Sequence, residues 1–401
     1  MYEYTKEFFD KGIERRGTSA KKYDPTLVPE DVMPFWIADT DFPSPIEVKE
    51  ALMKRVEDAH YGYPYISPKF ENAIARWYKV RHNADVNPAW IDFSPCVIPA
   101  MIWMVNEFTE KGDEVLLQTP VYPPFHALVK DHGRTLVYNS LVLTNGRYEI
   151  NWEDLEAKLA SPKCKIMFIC NPQNPTGRVF TKEELIRMGE LCNKYDVLVG
   201  VDEIHADIVF DGIEFTSYCT LDPELTKNSI TFLNPAKTFN VAGFRTAAWF
   251  TCDETMYKRM MHQQKINKGM GRVDFGNVAL EACFMEGDNY ADACVAYLNE
   301  TKNEVVKYVN ENIPGVVALN PEATFMVWLD CRGLGFETQK ELTDFFFNEA
   351  KLYLNDGTSF GAEDGFGFMR FNFAAPRHIV MEGLERLKKG GVRGRLVAVQ
   401  D

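Results

Sequence analysis

The stretch Val197-Leu-Val-Gly-Val-Asp-Glu-Ile-His205 sets a five-residue apolar run directly against two carboxylates and a histidine. Apolar residues in succession, instead of alternation, mark a strand buried on both faces, as in a parallel sheet covered by helices on each side. Glu114-Val-Leu-Leu-Gln118, Lys165-Ile-Met-Phe-Ile169 and Ser229-Ile-Thr-Phe-Leu233 read the same way. Helical patterns lie between them. The best marked opens at Thr181-Lys-Glu-Glu184, where threonine followed three residues later by glutamate forms a capping box ahead of ELIRMGELCNKY. The segment 275–312 reads as one or two helices carrying the chain away from the sheet. After it come strand-like runs at 316–319 and 324–329 and helices near 338–350 and 378–389. The expected class is α/β, in three parts: an N-terminal arm joined to the small domain (1–44), a large domain with a mostly parallel central sheet flanked by helices (45–290), and a smaller α+β domain (291–401).

Composition narrows the chemistry. The chain has 401 residues, 46% hydrophobic and 25% charged, as in a globular protein. Fifty-eight acidic against 44 basic side chains leave a net charge of −14, which repels nucleic acid and anionic membranes. The one basic cluster, Arg386 to Arg395, reads as a solvated tail. Nine scattered cysteines, none in a CxxC spacing, suggest neither a disulfide framework nor a zinc ribbon and fit a reducing cytoplasm. The N-terminus has no apolar run of signal-peptide length, and no membrane-spanning window is expected. With no HExxH and no clustered His/Cys set, no metal is expected.

Parallel strands deliver the residues beyond their C-terminal ends to one sheet edge, where open α/β sheets bind ligands. Asp202 follows one strand, and Lys237 stands 35 residues later, just beyond another. The turn Asn171-Pro-Gln-Asn-Pro-Thr-Gly177 follows a third. After a fourth, Thr119-Pro-Val-Tyr-Pro-Pro-Phe125 sets Tyr122 between prolines, to stack on a flat ligand or to plug the sheet edge. Phe93-Ser-Pro-Cys-Val-Ile-Pro-Ala-Met101 opens a helix, so the amides of Val97 and Ile98 would meet an anion at its N-terminus.

This set resembles the fold type I pyridoxal 5′-phosphate (PLP) enzymes, and within them the MalY/PatB group of cysteine carbon–sulfur lyases. The resemblance runs through RRGTSAKKYD, MPFWIADTDF, YGYPY, TPVYPPF, CNPQNPTGR, VDEIHAD, KTFNVAGF, PEATFMVWLDCRG, NDGTSFG and GFMRFNFAAP. It implies that Lys237 carries the cofactor covalently and removes the Cα proton, and that Asp202 pairs with the ring nitrogen. Asn174 is implied as a donor to the ring oxygen, Tyr122 as the stacking ring, and Val97 and Ile98 as phosphate binders. Tyr63 is implied to reach the phosphate of a neighbouring subunit, hence a homodimer. Arg370 is implied to grip the substrate carboxylate, with the Ala38 backbone against it.

Some positions depart from the pattern. His205 stands where typical aminotransferases have a tyrosine, which favours β-elimination on cysteine S-conjugates such as L-cystathionine. Arg245, eight residues after Lys237, matches a phosphate-binding arginine of aminotransferases and keeps transamination as the alternative. Asn234, Ala236 and Tyr23 are also atypical, and Cys96 replaces a glycine of the phosphate loop, where it either clashes with a turn that wants positive φ or sits in an allowed conformation. Gly357-Thr-Ser-Phe-Gly361 fits the GxSxG expression of hydrolases, which requires a strand before it and a helix after it.

Overall fold

The computed structural model describes residues 2–65, 67–267 and 271–390. Its main sheet has seven strands in the order Ile91–Ser94, Ala247–Thr251, Ser229–Leu233, Leu198–Asp202, Cys164–Cys170, Glu114–Thr119 and Thr135–Ser140. Ala247–Thr251 runs antiparallel to both neighbours. The other pairings are parallel. All four strands expected from the apolar runs are present. Ala247–Thr251 escapes a propensity reading because alanine is a poor strand former, yet every residue of it is buried.

The consecutive apolar residues are explained by two cores. Leu116, Met167, Ile169, Val199 and Val201 pack on one face with Leu185, Met188 and Cys192. Their alternates Val115, Leu117, Ile166, Phe168, Ile230 and Phe232 pack on the other with Val97, Met101 and Met104. Each strand therefore needs apolar groups at odd and even positions. The helix Lys182–Lys194 begins at the expected capping box, with Thr181 and Glu184 bonding each other's backbone amides.

Helices Asp274–Glu286 and Asp288–Asn312 lead to a second sheet, in the order Val317–Ala318, Met326–Asp330, Phe368–Asn372, Asn355–Asp356. These strands are antiparallel. Met33–Pro34 pairs in parallel with Leu352–Tyr353. From there residues 35–41 run beside the Phe368–Asn372 strand, with Asn372 N on Phe35 O and Asp41 N on Ala374 O, both at 2.9 Å.

The basic cluster is no simple tail. Arg386, Lys388 and Lys389 form the last turn of the helix Arg377–Lys389, where cations complement the helix dipole and Leu384 and Leu387 anchor the buried face. Its remainder, 391–395, lies outside the described residues. Among those described, no helix is long and apolar enough to cross a membrane, and no acidic, histidine or cysteine group could hold a metal ion.

Gly177 ties the two sheets together: its carbonyl accepts the amides of Glu322 and Ala323, each at 2.9 Å. Its φ is +71°, and a Cβ there would overlap Pro321. Gly177→Ala should therefore cost about 2–4 kcal/mol in urea unfolding, combining strain with overlap. Gly146→Ala, at φ +80° in open space, should cost only about 1 kcal/mol.

Candidate functional site

Four strand ends converge on one cleft. Its lining includes Val97, Ile98, Tyr122, Asn174, Asp202, His205 and Lys237, seven of the positions singled out from sequence. Cys96, Cys170, Ile204, Asn234, Ala236 and Ala242 complete it. Lys237 rides on a four-residue helix, Ala236–Phe239. So short a helix does not hold itself. Thr238 anchors it through Oγ1 to Asp207 Oδ2 at 3.0 Å, and Asn240 through Nδ2 to the carbonyls of Thr40 at 3.0 Å and Phe42 at 2.9 Å.

The Lys237 amine opens on the cleft and donates to Ala38 O at 2.7 Å. Burial of the ammonium, followed by repulsion from Arg370, lowers its pKa to about 8, against the pull of Asp39 and Asp202. Asp202 is 4% exposed and accepts the Ile204 amide at 3.1 Å. Burial pushes its carboxyl up to about 7. It makes no ion pair among the described residues, so a carboxylate in the floor of the cleft lacks a cationic partner. A protonated ring nitrogen would supply one.

Arg370 is the complementary case. It is 3% exposed, and burial lowers its pKa to about 10. Among the described residues its guanidinium meets only neutral acceptors: Asn174 Oδ1 at 3.1 Å, Trp36 O at 2.7 Å and Asn355 Oδ1. Its buried Nε has no acceptor. A buried cation without a counter-ion is a receptor for an anion, and a planar fork suits a carboxylate. His205, 1% exposed, packs its ring edge against Phe325. Burial, then Lys237 and Arg370, push its pKa well down, so the imidazole is neutral, and its Nδ1 is buried without a partner.

Val97 and Ile98 begin the twelve-residue helix Val97–Phe108, whose first amides have no partner within the helix. Cys96, at its N-cap, has φ −160°, extended backbone open to any residue, so of the two alternatives for this position the allowed conformation is the one found. Together the donor set suits a flat anionic ring: amides for the anion, Tyr122 at the wall, Asn174 and Asp202 for polar ring atoms and a lysine amine for a carbonyl carbon.

Two singled-out residues stand apart. Tyr63 is fully exposed and Arg245 is exposed on a residue with φ +52°; neither lines the cleft, although the charge of Arg245 reaches Cys96. Ser359 of GTSFG is exposed and donates to Asp356 O at 2.7 Å. It lies in the short 3-10 turn Gly357–Phe360 with no helix after it, so no nucleophile elbow is built. Trp36 and Asn355 escaped the sequence reading. Each belongs to a family-like motif, but their roles depend on Arg370, 334 and 15 residues away in sequence.

The family profile for class I and II aminotransferases matches residues 30–387. The cystathionine beta-lyase PatB of Bacillus subtilis is 36% identical, over 95% of this chain and 98% of its own. A PLP-bound putative aminotransferase from Clostridium difficile superposes with a TM-score of 0.92 at 34% identity, over 95% and 99% of the two chains. Cystalysin from Treponema denticola, a structure containing PLP, has a TM-score of 0.91 at 31% identity, over 97% and 98%.

The lowered pKa of Lys237 has a direct consequence. In protein free of carbonyl ligands, acylation of Lys237 followed by peptide mass spectrometry should rise with a midpoint near pH 8, well below that of exposed lysines. Asp202→Asn should lower that midpoint further, because the carboxylate stabilises the ammonium.

Proposed function

The chain belongs to the class I and II aminotransferase family, and from that membership we propose that it is a PLP-dependent carbon–sulfur lyase acting by β-elimination on cysteine S-conjugates such as L-cystathionine. The observation that carries the reading is a cleft lined by a reactive amine and an unpaired carboxylate, with an unpaired guanidinium bonded to Asn174 of its lining. The amino-acid substrate class follows from Arg370. The choice of elimination rests on full-length similarity to a cystathionine beta-lyase and on His205 in place of a tyrosine.

Bound in this cleft, PLP supplies an electron sink that acidifies the Cα–H of an attached amino acid. Asp202 would hold a proton on the ring nitrogen. Asn174 would donate to the ring oxygen, and the Val97 and Ile98 amides would hold the phosphate. Arg370 fixes the substrate carboxylate, which brings Cα within reach of the Lys237 amine. Near neutral pH a fraction of that amine is unprotonated, so Nζ removes the Cα proton. A thiolate leaves from Cβ, and hydrolysis completes the balance to thiol, pyruvate and ammonia.

Transamination is the second reading, favoured by the similarity to a protein described as a putative aminotransferase and by Arg245. The two separate cleanly. With L-cystathionine and no keto acid, repeated turnover to pyruvate and thiol is expected; a single turnover would overturn elimination. Lys237→Ala should abolish turnover together with the absorption band at about 420 nm. Arg370→Lys should raise KM for the amino acid by roughly tenfold or more, since it loses the bidentate fork.

We place the enzyme in the cytoplasm, in keeping with nine unpaired cysteines, as a homodimer in which the exposed Tyr63 completes the neighbouring subunit's site. Mixing Tyr63→Phe with Lys237→Ala subunits should then give more activity than either alone, because one site of the hybrid carries both native residues. No gain on mixing would rule the shared site out.

A further inference from the structure

The N-terminal motif Arg15-Arg-Gly-Thr-Ser-Ala-Lys-Lys-Tyr-Asp24 has no part in the proposed catalytic roles, yet its side chains reach the segment that holds Lys237. Arg15 pairs with both oxygens of Asp39, Nη1 to Oδ1 at 3.0 Å and Nη2 to Oδ2 at 2.6 Å. Its Nη1 also donates to Thr40 O at 3.0 Å and Asp41 Oδ1 at 2.8 Å. Lys22, wholly buried, donates to Asp41 Oδ2 at 2.8 Å, and Tyr23 donates to the same oxygen at 3.0 Å. From the other side Asn372 Nδ2 holds Asp39 O at 2.7 Å and also Ile37 O. Ala38, between these held residues, presents the carbonyl that receives the Lys237 amine at 2.7 Å.

We propose that Arg15 is a positioning residue for Lys237: by engaging both carboxylate oxygens of Asp39 it fixes the Trp36–Asp41 segment and masks the one carboxylate adjacent in sequence to the Lys237 acceptor. The proposal rests on Lys237 being the reacting base. The charged and titratable groups that act on Lys237 are Arg370, Asp39, Asp202 and Cys96, with neutral His205 also beside it. Of these, Asp39 is the carboxylate with a cationic partner, and that partner comes from the N-terminal motif. Without Arg15 the full charge of Asp39 would favour the ammonium, leaving less free amine at neutral pH. With Arg15 present and Asp39 neutralised, an unmasked guanidinium would drive the amine the other way.

Acylation of Lys237 against pH, on full-length protein freed of carbonyl ligands, reads this without cofactor or substrate. Arg15→Gln should raise the midpoint by about one pH unit, Arg15→Lys should restore most of it, and Asp39→Asn should lower it. The double variant Arg15→Gln/Asp39→Asn should return close to the native value. In the holoenzyme Arg15→Gln should move the acid limb of kcat/KM to higher pH. A folded Arg15→Gln protein with an unmoved midpoint overturns the proposal. Should that variant fail to fold, the isosteric Asp39→Asn variant decides: a midpoint equal to that of the native protein overturns it as well. Absence of lyase turnover alongside the expected acylation order would sink the functional reading and leave the role of Arg15 standing.

Discussion

Two buried cations, the Lys237 ammonium and the Arg370 guanidinium, stand near each other: burial makes both harder to charge, and the arginine adds to the penalty on the lysine. Taking two like charges out of water costs several kcal/mol unless counter-charges or proton loss relieve it. The protein answers the two differently. The arginine cannot shed its proton under ordinary conditions, so it is surrounded by carbonyl and amide acceptors. The lysine can, and with the Ala38 carbonyl as its hydrogen-bond partner it is poised to do so. A free amine beside an unsatisfied guanidinium is the chemical basis of a site for amino acids, where one end needs a base and the other a carboxylate clamp.

Placing those groups is the task of two sheets. The parallel sheet delivers Tyr122, Asn174, Asp202 and Lys237 because each stands at or just beyond the end of a strand running in the same direction. Arg370 comes from the middle of an antiparallel strand in the smaller sheet, registered against Asn355 and Trp328. The extended segment around Trp36 to Asp41 lies between the two. It lends Arg370 a carbonyl at Trp36 and Lys237 a carbonyl at Ala38, so a single strap of backbone contacts both cations.

Much of this was legible in the chain. Consecutive apolar residues marked four strands because a sheet covered on both faces leaves no polar side to each strand, and the capping box at Thr181 marked a helix start by local hydrogen bonding alone. The strand Ala247–Thr251 was not legible, since Ala248 sits in register between Phe93 and Leu233 in one core and Ala247 faces the other, so packing rather than backbone preference sets these positions. Whether Cys96 clashed with its turn was open from the sequence, and its extended backbone decides that it does not. The basic cluster looked like a tail until its first residues closed a helix on buried leucines.

By itself the sequence determined the class of fold and the cast of the site, because strand ends, helix starts and motif spellings are encoded within a few neighbouring residues. It singled out the lysine and the aspartate that line the cleft and the arginine bonded to Asn174 beside them. Only the tertiary structure decided that Lys237 shares its surroundings with Arg370, that Trp36 and Asn355 hold the guanidinium, and that Arg15 reaches Asp39 beside the acceptor of the amine. These are contacts between residues 24 to 334 positions apart, save for the hairpin partner Asn355. Desolvation and charge depend on what is close in space, and no local pattern along the chain records that distance.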